Sequence, residues 1–260
     1  MSKHPGTALR VKVFADGASL ESMRQLAEDG LVKGFTTNPT LMRQSGVKDY
    51  AAFSREVLSA IPHKPISFEV IADTPDEIRR QALEIASWGD NVYVKIPVTN
   101  TEGVPLYTLV HDLSHRGVKI NVTAVFTLEQ VAACCGALKG GAPSVISIFA
   151  GRIADAGKDP APIMRAALAM CRAASEKWSD PLNKGSDPFS EATESNIELL
   201  WASPREIFNV TQADEIGVDI ITVTDAIRTK LHLIGKNLDD FSRETVQMFK
   251  RDADAAGFSL

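Results

Sequence analysis

The sequence predicts an α/β fold: a single (β/α)8 TIM barrel carrying an additional C-terminal helix. Apolar or β-branched runs of five to eight residues alternate with amphipathic runs of ten to sixteen, the rhythm of strands and helices taking turns. Eight strand-like runs can be counted. The 260 residues are the size of a closed eight-stranded barrel with its helices. They are too many for a small stapled module and too few for two ordinary domains.

The first run covers residues 10–15 and leads to a helix over 19–28 that opens on Ser19. The second strand is expected at 34–38 and the third at 66–71. A helix over 74–88 then opens on Thr74-Pro75-Asp76-Glu77, with a cap, a proline suited to the first turn and two acids. Strands at 91–98 and 119–126 follow, and Thr127-Leu128-Glu129-Gln130 starts a helix over 127–138 with the spacing of a capping box. The sixth strand, 144–149, precedes a helix over 160–174. The seventh, 197–202, precedes a helix over 204–215 with Pro204 at its start, and the eighth is 219–223. Gly30, Gly89, Gly117 and Gly217 punctuate helix ends. Leu238, Phe241, Val246 and Phe249 fall at helical spacing within a last helix, 236–257, suited to packing on its own barrel or on a neighbour. A stretch rich in Ser, Asp, Pro and Gly, 175–195, reads as an insertion in an αβ loop, on the face of a barrel away from its chemistry. The whole chain, 1–260, is thus expected to be one domain. A doubly wound open sheet is the rival, but Asp16-Gly17-Ala18-Ser19 after the first strand is neither GxGxxG nor a Walker loop.

Composition removes several functions. With 44% hydrophobic and 23% charged residues the chain can bury a large core. Lys and Arg number 28 against 33 Asp and Glu, a net charge of -5 with no basic cluster, which argues against nucleic acid as a partner. Cys134, Cys135 and Cys171 give neither a disulfide framework nor a four-ligand zinc site. There is no long apolar stretch and no secretory leader, so a cytoplasmic protein that neither spans nor binds a membrane is expected.

Side chains alternate along a strand, so the barrel interior and the helix layer receive opposite parities. In the fourth run, Val92, Val94 and Ile96 suit the helix layer, which turns Tyr93 and Lys95 inward. The same reading turns Asp16 inward with Phe14, Glu69 with Ser67, Asn121 with Thr123, Ser147 with Phe149, Trp201 with Ser203, and Thr222 with Thr224. Most of these polar groups lie late in their strands, where barrel active sites form. Desolvation of an interior lysine favours the neutral amine, a nucleophile toward carbonyls, and Asp16 and Glu69 could move protons beside it. Parity alone leaves equal room for a structural ion pair between Lys95 and one of these acids.

Five segments, in order, resemble the transaldolase family: Gly34-Phe35-Thr36-Thr37-Asn38-Pro39-Thr40-Leu41, Val94-Lys95-Ile96-Pro97-Val98-Thr99, Asn121-Val122-Thr123-Ala124-Val125-Phe126, Ser147-Ile148-Phe149-Ala150-Gly151-Arg152-Ile153-Ala154-Asp155 and Trp201-Ala202-Ser203-Pro204-Arg205. The resemblance implies that Lys95 forms an imine, that Asp16 is the acid/base for the substrate hydroxyl, and that Glu69 and Thr123 hold a catalytic water. It further implies a substrate pocket lined by Thr36, Asn38, Asn121, Ser147, Phe149 and Trp201, with Asn38 and Asn121 on the ketose hydroxyls. Arg152, Ser203 and Arg205 would grip a terminal phosphate. Small sugar phosphates are then the substrates, no cofactor or metal is needed because the imine is the electron sink, and a homo-oligomer is expected. Fructose-6-phosphate aldolases look similar but carry Gln and Tyr where this chain has Glu69 and Phe149, which favours group transfer over release of free dihydroxyacetone. Trp201, large where the family usually has a small residue, and Pro204, which removes an N–H, leave room for a non-standard anionic sugar.

Other patterns have plain readings. Asp16 and Asn38 also suit turns and caps, Arg152 and Arg205 suit solvent, and Thr123, Ser147 and Ser203 suit local backbone bonds. His111 and His115, one helical turn apart, lack the Glu and the third ligand of a zinc site. A catalytically silent sugar-phosphate-binding barrel is the alternative of a different class.

Overall fold

Eight parallel strands close on themselves in chain order, β1 pairing with β8 as well as with β2. The computed structural model describes residues 9–17, 19–175 and 196–258. The strands are β1 Lys12–Asp16, β2 Val32–Thr36, β3 Ile66–Glu69, β4 Val92–Pro97, β5 Ile120–Val125, β6 Ser144–Ile148, β7 Ile197–Trp201 and β8 Ile220–Val223. The helices are α1 Leu20–Ala27, α2 Pro39–Gln44, α3 Tyr50–Ala60, α4 Pro75–Ala86, α5 Tyr107–Ser114, α6 Leu128–Leu138, α7 Ala150–Asp155, α8 Pro160–Ser175, α9 Phe208–Ile216, α10 Asp225–Arg228 and α11 Leu238–Ala255. The expected insertion at 175–195 lies, except for Ser175, outside the described residues.

Local chemistry sets the helix ends. Ser19 caps α1 by accepting from the Ser22 N–H, and Thr127 and Gln130 complete a reciprocal capping box on α6. Gly217 ends α9 with φ of 85°, the left-handed conformation that glycine adopts without strain. One expected start is displaced: the helix after β7 begins at Phe208 rather than Pro204. The Asn209 side chain accepts from the N–H groups of Arg205 and Glu206 at 2.7 and 3.2 Å, which holds residues 204–207 in a turn.

The apolar residues divide between two compartments. Val13, Phe35, Phe68, Val94, Val122, Ile148, Leu199 and Val223 belong to one continuous core between strands and helices. Phe14, Val145, Leu200, Ala202 and Ile220, with Tyr93 and Phe149 against them, form a separate cluster inside the barrel. Beneath it Lys12 reaches Glu198 at 2.7 Å, and above it stands a ring of polar side chains at the strands' C-terminal ends. The interior is therefore packed, with chemistry confined to one end.

Strand β7 departs from the expected parity. Leu200 and Ala202 point inward, so Trp201 is fully buried against the helices and does not line the pocket. Ile197, Leu199, Leu200 and Trp201 are apolar on both faces of this strand, which erases the alternation that parity reads. The residue presented to the interior is the small Ala202.

Close approach explains Gly34. A Cβ there would lie 2.5 Å from the Phe14 ring, which occupies the space beside β2. Gly34→Ala should therefore cost about 1–3 kcal/mol in urea unfolding. A change within about 0.5 kcal/mol would mean that the ring moves aside without strain.

Candidate active site

Adjacent strands bring the central pair together. Glu69 is the register partner of Lys95 across β3 and β4, so both side chains rise from neighbouring positions toward the interior. Lys95 Nζ stands 3.1 Å from Glu69 Oε2 and donates to the Thr37 carbonyl at 2.9 Å. The lysine is 7% exposed, so both contacts are made away from bulk water, where such interactions are strongest.

Asp16, at the end of β1, is held by hydroxyls. Thr36 donates to its Oδ1 at 2.8 Å and Thr222 at 3.3 Å, and the two threonine oxygens are 2.5 Å apart. This cluster joins β8, β1 and β2. On the opposite wall Asn121 donates to Ser67 Oγ at 3.0 Å and accepts from Ser147 Oγ at 2.7 Å, linking β3, β5 and β6 through buried groups. The Thr123 hydroxyl is buried beside them with no hydrogen-bond partner among the described residues. A short bulge follows it, with Ala124 at φ of 57° and the β5–β6 register shifting between Val122 and Val125. Such bulges re-aim side chains at barrel rims.

The third group lies where β6 and β7 end. Ser203 has φ of 60°, and its carbonyl sits where a Cβ on Gly151 would fall, at 1.5 Å, so only glycine lets α7 approach this loop. Arg152, exposed on α7, lies over the Phe149 ring at 5.5 Å. Arg205 forms a forked pair with Asp155, its Nε 2.9 and 3.1 Å from the two carboxylate oxygens and its Nη2 on Oδ2 as well. This pairing holds the Asp155 carboxyl below the usual aspartate range.

Of the residues singled out by sequence, Lys95, Glu69, Asp16, Thr36, Asn121, Thr123 and Ser147 meet at one end of the barrel, with Phe149 on the rim. Asn38 follows β2, but its Oδ1 is used as the α2 cap, accepting from the Leu41 N–H at 2.9 Å. Trp201 is outside the pocket, and Pro204 lies before α9, outside its first turn. Three participants were missed. Thr37, inside a quoted motif, gives Lys95 its carbonyl, while Ser67 and Thr222, whose inward parity was legible, complete the hydroxyl clusters.

A family model described as transaldolase/fructose-6-phosphate aldolase matches residues 13–260. A Dehalococcoides mccartyi protein described as a probable transaldolase is 34% identical over 215 residues, 82% of this chain and 86% of the relative. A Listeria monocytogenes protein described as a probable transaldolase 2 is 32% identical over 239 residues, 90% and 95% of the two chains. Among solved structures, a Burkholderia cenocepacia J2315 protein provisionally described as a phosphonomutase superposes with a TM-score of 0.52 at 13% identity, covering 87% of this chain and 94% of its own. That likeness concerns the fold alone.

Asn121→Ala should leave the buried Ser67 and Ser147 hydroxyls without their shared partner and cost about 1–3 kcal/mol in urea unfolding. An unchanged midpoint would show that the two serines find other partners. Arg205→Ala should return the Asp155 carboxyl upward to the ordinary aspartate range, read by carboxyl-carbon NMR titration.

Proposed function

The chain belongs to the transaldolase/fructose-6-phosphate aldolase family, and from that premise we propose a transaldolase-type transferase that moves a dihydroxyacetone unit from a ketose phosphate to an aldose phosphate through an imine on Lys95. One observation carries the reading: a buried amine within 3.1 Å of a carboxylate, at the end of a barrel where hydroxyl-held Asp16 also opens. Glu69 is positioned to accept the ammonium proton directly or through a water shared with the Thr123 hydroxyl, which has no partner among the described residues.

The freed Nζ adds to the C2 carbonyl of the ketose, and the carbinolamine loses water to form the imine. Asp16 takes the proton of the C4 hydroxyl as the C3–C4 bond breaks. The bonding pair passes into the enamine and an aldose phosphate departs. The enamine carbon then attacks an acceptor aldehyde, Asp16 returns the proton to the new hydroxyl, and hydrolysis frees Lys95. Asn121, with Ser147 behind it, and the amide of Asn38 suit the ketose hydroxyls, while Arg152, Ser203 and Arg205 suit the terminal phosphate. Glu69 and Phe149 favour transfer over aldol release, because a phenylalanine has no hydroxyl to assist hydrolysis.

A cytoplasmic homo-oligomer is part of this reading. The apolar face of α11, with Leu238, Val246 and Phe249 exposed and no residue of the helix buried, suits contact with a second copy. No helix among the described residues is long and apolar enough to cross a membrane.

Borohydride with fructose 6-phosphate should add mass at Lys95 alone, and Lys95→Met should abolish the adduct and lower turnover by roughly a thousandfold or more. Absence of an adduct across a panel of ketose phosphates would favour a silent binding barrel. Rapid release of free dihydroxyacetone without an acceptor would favour the aldolase. Turnover should survive exhaustive chelation.

A further inference from the structure

The hydrogen-bond ladder between β2 and β3 stops one step short of Glu69. Phe35 N donates to the Pro65 carbonyl at 2.9 Å and Thr37 N to the Ser67 carbonyl at 3.1 Å. In a parallel pair the next bonds would run from the N–H of residue 39 to the Glu69 carbonyl and from the Glu69 N–H to the Thr37 carbonyl. Neither forms. Residue 39 is proline, which has no N–H, and the chain has turned into α2 behind its Asn38 cap. The Thr37 carbonyl instead accepts from Lys95 Nζ.

One side-chain atom replaces both missing bonds. The Tyr50 hydroxyl accepts from Glu69 N at 2.7 Å and donates to Glu69 O at 2.9 Å, the dual capacity that a phenol has. Tyr50 opens α3, capped by Asp49 on the Ala52 N–H. Its ring is held edge-on by Phe68 and Trp88 at 6.4 and 6.1 Å. Burial pushes the phenol pKa up, so the group keeps the proton it donates. Gln81 continues the pattern by accepting from Ile71 N and Ala72 N, so the exit of β3 is stitched by side chains.

We propose that Tyr50 is a positioning residue for the imine-forming pair: its hydroxyl stands in for the missing length of β2, fixing Glu69 while leaving the Thr37 carbonyl to hold Lys95 Nζ. Without the hydroxyl, Glu69 N must seek another acceptor, and the nearest in the ladder is the carbonyl that holds the amine. The proposal rests on the reading of Lys95 as the imine-forming residue.

Tyr50→Phe keeps the ring and removes the hydroxyl. With fructose 6-phosphate and an aldose phosphate acceptor, kcat should fall about 10- to 100-fold while KM stays within about twofold, the signature of misplaced reacting groups rather than lost binding. Ser54→Ala removes a hydroxyl bond to the Tyr50 carbonyl within the same helix, so it loosens α3 without touching Glu69 and should leave kcat unchanged. A second readout needs no turnover: reductive labelling of Lys95 with glycolaldehyde and cyanoborohydride, followed by peptide mass, should slow at least tenfold in Tyr50→Phe with surface lysines unaffected. If wild type turns over no ketose phosphate, the transferase reading fails and the labelling comparison still tests Tyr50. Unchanged kcat and labelling, a parallel loss in Ser54→Ala, or a Tyr50→Phe protein that no longer folds would each overturn the proposal.

Discussion

The site depends on a single electrostatic constraint: a lysine amine and a glutamate carboxylate share a desolvated corner between two adjacent strands, with one backbone carbonyl completing the amine's contacts. Removing either partner would strand a charge away from water, which is costly. The barrel supplies what the pair needs. Parallel register places the two residues side by side, and the apolar cluster of Phe14, Val145, Leu200 and Ile220 closes the floor. Separate hydroxyl groups hold Asp16 apart from this pair, so two acids occupy different surroundings within one pocket.

Much of this was legible because alternation is a strict rule wherever a strand carries polar residues on one parity. Lys95 between Val94 and Ile96, and Asn121 between Ile120 and Val122, could point only inward if their neighbours were to reach the helix layer. The eight strands were legible for the same reason, with observed bounds within two residues of those expected from sequence at every end. Strand β7 carries apolar residues on both parities, and there the rule has nothing to act on. Trp201 was misplaced for that reason, and the large residue assigned to the pocket is part of the outer core.

Other features had no local signal. Proline at 204 is a sound helix-start cue, yet the competing capture of two backbone N–H groups by Asn209, four and three positions along from them, delays the helix. Asn38 satisfied two readings at once, as a cap and as a strand-end polar group, and the cap claims its oxygen. Tyr50 belongs to no motif. Its place beside Glu69 is set by how α3 packs across the end of β3, a tertiary relation that spacing along the chain does not encode.

Pro39 shows how a residue with no reactive group can govern chemistry. Sheet growth is self-propagating, since each new rung aligns the groups for the next. The imino acid terminates that growth one rung early, and the unused oxygen becomes a ligand for an amine two strands away. A substitution restoring the amide hydrogen would give the main chain a rival claim on the Glu69 carbonyl that Tyr50 now holds and would carry the pairing on toward the Thr37 oxygen, so the reactivity of this barrel is tied to an interruption of its own regularity.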